Sequence, residues 1–247
     1  MHDSVTRCTG GMACRAQAIE KIIYFVSKRA FDIEGLGKKN VESFYDRKWI
    51  QYPSDIFLLE RNFGLDSPHK LQDLDGWGSQ SAKKLFAAIN TARRIDLPRL
   101  IYSFGIRFVG YQVSVLLSRY YGNWEFFLDQ VRKATSNDTE EWSNLAGIDG
   151  IGTTIATSIV DFFSSSESHW ITEKLIRELR VRSFSPQKVK VSPISDLVIV
   201  FTGSLEKITR SEVKARTEAL GGKVTSAISK NTDILVAGNN AGSKLKR

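Results

Sequence analysis

Between residues 71 and 89 the apolar positions Leu71, Leu74, Ala82, Leu85 and Ile89 fall at the period of helix faces that pack on each other. The stretch "LQDLDGWGSQSAKKL" (71–85) interrupts that period with Gly76 and Gly78 on either side of Trp77. Each glycine weakens a helix by about 1 kcal/mol relative to alanine, so the pattern predicts a helix, a tight hairpin and a second helix. The same arrangement returns in "AFDIEGLGKKNVESF" (30–44) and "LAGIDGIGTTIATSI" (145–159), and in degenerate form in "SFGIRFVGYQVSVLL" (103–117). The first glycine position is held by Gly35, Gly76 and Gly150, with Phe108 replacing glycine in the degenerate copy. The second is held by Gly37, Gly78, Gly110 and Gly152. Four registered copies make an array of one supersecondary unit. The small residues Ala82 and Ala156 allow its two helices to approach closely.

The pattern changes near the end of the chain. "SFSPQKVKVSPI" (183–194) is polar, basic and twice broken by proline, and reads as a linker. After it, "DLVIVFTGSL" predicts a buried strand ending in a turn. "TRSEVKARTEALGG" predicts a helix with a threonine cap and a glycine stop, and "KVTSAIS" and "TDILVAG" predict two more strands. Strand, helix, strand, strand implies a small α/β domain with a parallel sheet. The fold class is therefore mainly α, a tandem hairpin array, followed by a small α/β domain.

Composition narrows the function. At 247 residues, with 42% hydrophobic and 25% charged residues, the chain has the makeup of a soluble globular protein. A formal net charge of +8 favours polyanionic partners. No apolar run approaches the ~18 residues of a membrane span, and "MHDSVTRCTGGMAC" lacks the apolar centre of a signal peptide. Cys8 and Cys14 are the two cysteines, too few for a disulfide scaffold and suited to a reducing cytoplasm.

The second glycine of each hairpin stands just before a helix, where backbone N–H groups lack an intrahelical acceptor. Those donors and the positive helix end attract an anion, and the missing side chain clears room for a phosphate oxygen. Basic residues gather nearby: Lys28, Arg29, Lys38 and Lys39 around the first hairpin, Lys83 and Lys84 after the second, and Arg93, Arg94, Arg99 and Arg107 before or within the third. The candidate phosphate-binding set is Gly35, Gly37, Lys38, Gly76, Gly78, Ser79, Lys83, Arg107, Gly110, Gly150, Gly152 and Thr153. Contacts of this type position a polyanion and carry little sequence information.

These repeats resemble the helix-hairpin-helix motif, which binds DNA backbones without sequence specificity. "FTGSL", "LGGKV", "TDILVAG" and "GSKLKR" resemble a BRCT domain whose usual last strand and final helix are missing. Together with "RCTGGMAC" and "FVSKRAFDIEGLG", the order of parts closely resembles the C-terminal region of bacterial NAD-dependent DNA ligases. That resemblance implies the second half of a four-cysteine zinc finger at 1–24, a four-hairpin DNA-binding domain at 25–182, a linker at 183–194 and a truncated BRCT domain at 195–247. It implies that Cys8 and Cys14 are half of a zinc ligand set, with NAD and magnesium serving the parent enzyme rather than this segment. The family adenylates the lysine of a Lys-x-Asp-Gly motif. Here the nearest strings, "DLDG" and "GIDG", place Asp73 and Gly147 where that lysine belongs. The expected role is a cytoplasmic, non-catalytic grip on double-stranded or nicked DNA. Two other roles fit parts of the chain. One is a stand-alone helix-hairpin-helix repair adaptor. The other is a protein-interaction module working through the BRCT domain, in which Thr202, Gly203 and Lys244 occupy the phosphate-holding positions of phosphopeptide-binding relatives.

Overall fold

The computed structural model describes residues 14–184, 192–203, 210–225, 228 and 232–239. The chain forms two compact units, Met1–Phe184 and Ser185–Arg247.

The first unit is helical. Helix α1 (Arg15–Val26) buries Ala18, Ile19, Ile22, Phe25 and Val26, the one-sided stripe expected of a surface helix. After the first hairpin comes α2 (Lys38–Asp46), which buries Val41 and Phe44. Two short helices follow, α3 (Pro53–Ile56) and α4 (Leu59–Phe63). The helix expected before the second hairpin is reduced to a single 3-10 turn, Leu71–Asp73. Gly64 and Pro68 stand just upstream, and proline can neither donate a helical hydrogen bond nor sit in a helix interior. Beyond that hairpin α5 (Ser79–Ala92) buries Ala82, Leu85, Phe86, Ile89 and Ala92.

A short strand, β1 (Arg94–Asp96), leads into α6 (Leu97–Ser103), the third hairpin and α7 (Tyr111–Tyr121). Next come α8 (Trp124–Lys133) and α9 (Glu140–Ala146), then the fourth hairpin, α10 (Thr153–Ser164), α11 (Ser166–Arg177) and strand β2 (Arg180–Arg182). Aromatic rings join the helices. Phe25 stacks on Phe31 with ring centres 4.1 Å apart, and both meet Phe57 edge-on. Around the third and fourth hairpins, Phe163 packs edge-on against Phe104, Trp124 and Phe127. Each such ring contributes on the order of 1.5–3 kcal/mol by leaving water.

The end of this array is tied back to its middle. Strands β1 and β2 pair in parallel with Ile95 opposite Val181. The Arg180 N–H donates to the Arg93 carbonyl at 2.7 Å, and the Phe184 N–H donates to the Gly122 carbonyl at 2.7 Å. Phe184 thus belongs to the helical unit.

The second unit is built on β3 (Val198–Thr202), flanked by β4 (Lys223–Thr225) and β5 (Ile234–Ala237) in the order β4-β3-β5, all parallel. Helix α12 (Arg210–Ala219) is the crossover between β3 and β4. The Ser192 and Ser195 hydroxyls both donate to the Leu220 carbonyl, which anchors residues 192–195 to this unit. The expected α-array followed by a small parallel α/β domain is the observed fold.

Candidate functional site

All four hairpins share one backbone geometry. An N–H at the far side of each turn donates to a carbonyl three residues back: Leu36 to Ile33 (3.3 Å), Trp77 to Leu74 (3.0 Å), Val109 to Ile106 (3.0 Å) and Ile151 to Ile148 (2.8 Å). The third residue of each turn has positive φ: 87° at Gly35, 78° at Gly76, 65° at Phe108 and 83° at Gly150. This is the signature of a type II turn, which asks for glycine there. The conformational demand therefore falls on the first glycine of each pair. Phe108 meets it without being glycine, at a cost of about 1–2 kcal/mol.

The second glycines are governed by something else. Gly37, Gly78, Gly110 and Gly152 are the N-caps of α2, α5, α7 and α10, with ordinary negative φ and extended ψ. Any residue adopts that conformation. A Cβ added at any of the four meets nothing within 4 Å. Neither the backbone nor internal packing calls for glycine at these positions.

The helix ends they open onto differ from those of α8, α9 and α11. Helices α8, α9 and α11 are capped by Asn123, Thr139 and Ser165 side chains that accept from the third backbone N–H of each helix. Each also carries glutamate in its first turn. The four hairpin helices have neither a side-chain hydrogen bond from the N-cap residue nor an acid in the first turn, a condition that α1 and α6 share. Caps and first-turn carboxylates normally satisfy the free N–H groups and the positive helix end.

Local contacts brace the hairpins. The Asn40 amide donates to the Gly35 carbonyl at 2.7 Å. The Ser81 hydroxyl accepts from the Gly78 N–H and donates to the Gly78 carbonyl, both at 2.9 Å. Sequence reasoning passed over Asn40 and Ser81, although a polar residue three positions beyond each N-cap is the available signal. Lys38, Ser79, Lys83, Arg107 and Thr153 are exposed near these turns. Lys38 also pairs with Glu20 at 3.5 Å.

Two of the arginines have structural work instead. The Arg93 guanidinium donates to the Glu178 carboxylate (2.8 Å), to the Glu178 carbonyl (3.1 Å) and to the Phe57 carbonyl. The Arg99 guanidinium donates to the carbonyls of Ala30 (2.7 Å) and Lys28 (2.9 Å), fixing the approach to the first hairpin.

The remaining candidates are placed as follows. Cys14 is the N-cap residue of α1, while Cys8 lies outside the described residues. Among the described residues no group of three or more His, Cys, Asp or Glu side chains forms a metal site. In the second unit Thr202 ends β3 and is buried. Gly203 has φ of 78°, and a Cβ there would lie 2.7 Å from the carbonyl oxygens of Gly238 and Asn239. Strand packing thus accounts for that glycine. Lys244 lies outside the described residues. Asp73 belongs to the 3-10 turn, and Gly147 is the C-cap of α9. No helix among the described residues is long and apolar enough to cross a membrane.

Two stretches of this arrangement match known family profiles. The family profile of the helix-hairpin-helix motif matches residues 99–171, and that of the BRCA1 C Terminus (BRCT) domain matches residues 189–247. Along nearly its whole length the chain matches the C-terminal part of bacterial DNA ligases. It is 46% identical to the DNA ligase of Agrobacterium fabrum, over 99% of this chain and 34% of the relative. It is 47% identical to the DNA ligase of Parvibaculum lavamentivorans, over the same shares, and 45% identical to that of Cereibacter sphaeroides, over 99% and 35%. The chain therefore spans about a third of the length of these relatives.

Proposed function

We propose that this chain is the DNA-gripping part of a bacterial NAD-dependent DNA ligase, holding duplex backbone around a nick without reading its sequence. The observation that carries the reading is the set of four hairpin helices whose N-termini lack capping side chains, lack first-turn acids and stand behind glycines that nothing internal requires. Helix N-termini of this kind suit phosphate oxygens, and the net charge of +8 suits a polyanion. Nick sealing by way of enzyme-adenylate and DNA-adenylate intermediates belongs to the parent enzyme, which uses NAD and magnesium. The Lys-x-Asp-Gly lysine is absent from the strings that come nearest to it, so this chain accepts no adenylate of its own. Cys8 and Cys14 contribute half of a zinc ligand set.

Gly110→Asp and Gly152→Asp test the grip. Aspartate is a better N-cap than glycine, so each variant gains a few tenths of a kcal/mol in helix stability. Each also places a carboxylate where the phosphate would sit. Fluorescence anisotropy should report weaker binding to nicked and continuous duplexes, with the ranking of different sequences preserved. Log affinity against log salt should lose about 0.9 of slope for each phosphate contact removed. Stable variants that bind as tightly as the parent, with the same slope, would overturn the reading.

A further inference from the structure

The third hairpin departs from the other three at its tip. Its turn carries Arg107 and Phe108, where the others carry an acid followed by glycine: Glu34-Gly35, Asp75-Gly76 and Asp149-Gly150. Phe108 holds the left-handed conformation that glycine accepts freely and a bulky side chain resists. Its ring takes no part in the core and is 51% exposed. The Arg107 guanidinium lies over that ring, 4.7 Å from its centre. One residue past the open Gly110, Tyr111 is a second exposed aromatic, held edge-on against Tyr102. A strained and solvent-facing phenylalanine gains nothing from the fold that glycine would not provide more cheaply. Its surroundings, a stacked arginine and a neighbouring tyrosine, are those of surfaces that contact nucleobases.

We propose that Phe108 is a base-contacting wedge, placing its ring against a nucleobase at the interrupted step of a nicked duplex, with Arg107 and Tyr111 beside it. The inference rests on the reading of the chain as a DNA grip. The hairpin tip and the open N-terminus of α7 belong to one turn, so a phosphate at Gly110 brings the duplex to the Phe108 ring. Apolar side chains enter DNA where stacking is weakest. A nick is such a place, because one strand no longer holds the step together.

The test uses the full chain with a nicked duplex carrying 2-aminopurine beside the nick, and with the same duplex unbroken. Phe108→Gly matches the turn's own preference, so it should melt no lower than the parent. It should lose about tenfold in affinity for the nicked duplex and change by less than about twofold on the unbroken one. It should also lose the 2-aminopurine fluorescence change that the parent produces. Phe108→Tyr, which keeps the ring, should retain both. Unaltered affinity of Phe108→Gly for the nicked duplex, an equal loss on both duplexes, or an unaltered fluorescence response would each overturn the wedge. If Gly152→Asp still weakens binding in that event, the DNA grip stands and the wedge alone fails. If neither substitution affects binding, both fall.

Discussion

The guanidinium of Arg93, at the end of α5, meets the carboxylate of Glu178, just past α11, at 2.8 Å and also bonds the Glu178 backbone carbonyl. The same side chain reaches the Phe57 carbonyl and lies over the Phe57 ring, 5.4 Å from its centre. One planar fork thus serves three chain segments, a task that lysine with its single ammonium cannot repeat. Arg93→Ala should destabilise the helical unit by about 2–3 kcal/mol, and Arg93→Lys should recover only part of that. Urea denaturation followed by circular dichroism measures both. A loss under about 0.5 kcal/mol, the usual range for surface substitutions, would show that the fork is dispensable.

The two glycines of a hairpin should respond oppositely to the same substitution. Gly76→Val and Gly150→Val force a β-branched residue into positive φ and should cost more than about 1 kcal/mol each. Gly78→Val and Gly152→Val enter extended backbone and open space, so the fold should change by about 1 kcal/mol or less. Only the second pair should weaken duplex binding at constant stability. Thermal melts and anisotropy on the same samples separate the two effects.

Basic residues near the hairpins divide by what they already hold. Lys83 is exposed on α5, whereas Arg99 is occupied by the carbonyls of Ala30 and Lys28. Lys83→Ala should lower the salt slope of DNA binding by about 1 and leave the melting temperature in place. Arg99→Ala should lower the melting temperature while the folded protein keeps its salt slope. The reverse pattern would show that Arg99 faces the ligand.

Helix α1 is tied to α2 by Arg15, whose guanidinium donates to both oxygens of Asp46 at 2.9 and 2.8 Å. The hydrogen bond from Arg15, more than its charge, holds the Asp46 carboxyl below the ordinary aspartate value. A carboxyl lowered by folding favours the folded state above its unfolded value, about 3.9, and loses that contribution as pH falls through the lower, folded value. Both side chains are exposed, so the effect belongs to local docking of α1. An NMR titration should place the Asp46 midpoint below 3.9, and Arg15→Gln should return it there. A midpoint unaffected by that substitution would remove the tie.

Much of this arrangement is legible in the sequence because one pattern is written four times. Repetition identified Phe108 as the occupant of a glycine position, and the structure gives it the same positive φ as Gly35, Gly76 and Gly150. The parallel sheet of the second unit follows from its apolar runs. Strands β1 and β2 were not legible, since Arg94–Asp96 and Arg180–Arg182 each place a single apolar residue between charged ones and show no period. The work of Arg93 and Arg99 was hidden for a related reason. A basic side chain reads the same in sequence whether it faces solvent or a carbonyl distant along the chain. Which glycine of a pair carries the conformational demand depended on backbone angles that spacing alone does not give.

The pairing of Ile95 with Val181 also bears on how the helical unit comes apart. An open stack of repeats loses its terminal members first, one after another, because each touches only its neighbours. Here the last strand lies beside the stretch between the second and third hairpins, and the end of the array is held at its middle. Fraying at the end would release Arg93, Ile95 and the edge of α5 as well. Amide protons of the third and fourth hairpins should therefore exchange through one shared opening instead of a gradient along the chain. A repeat that reads as a string of separable modules is locked from its last strand to its middle.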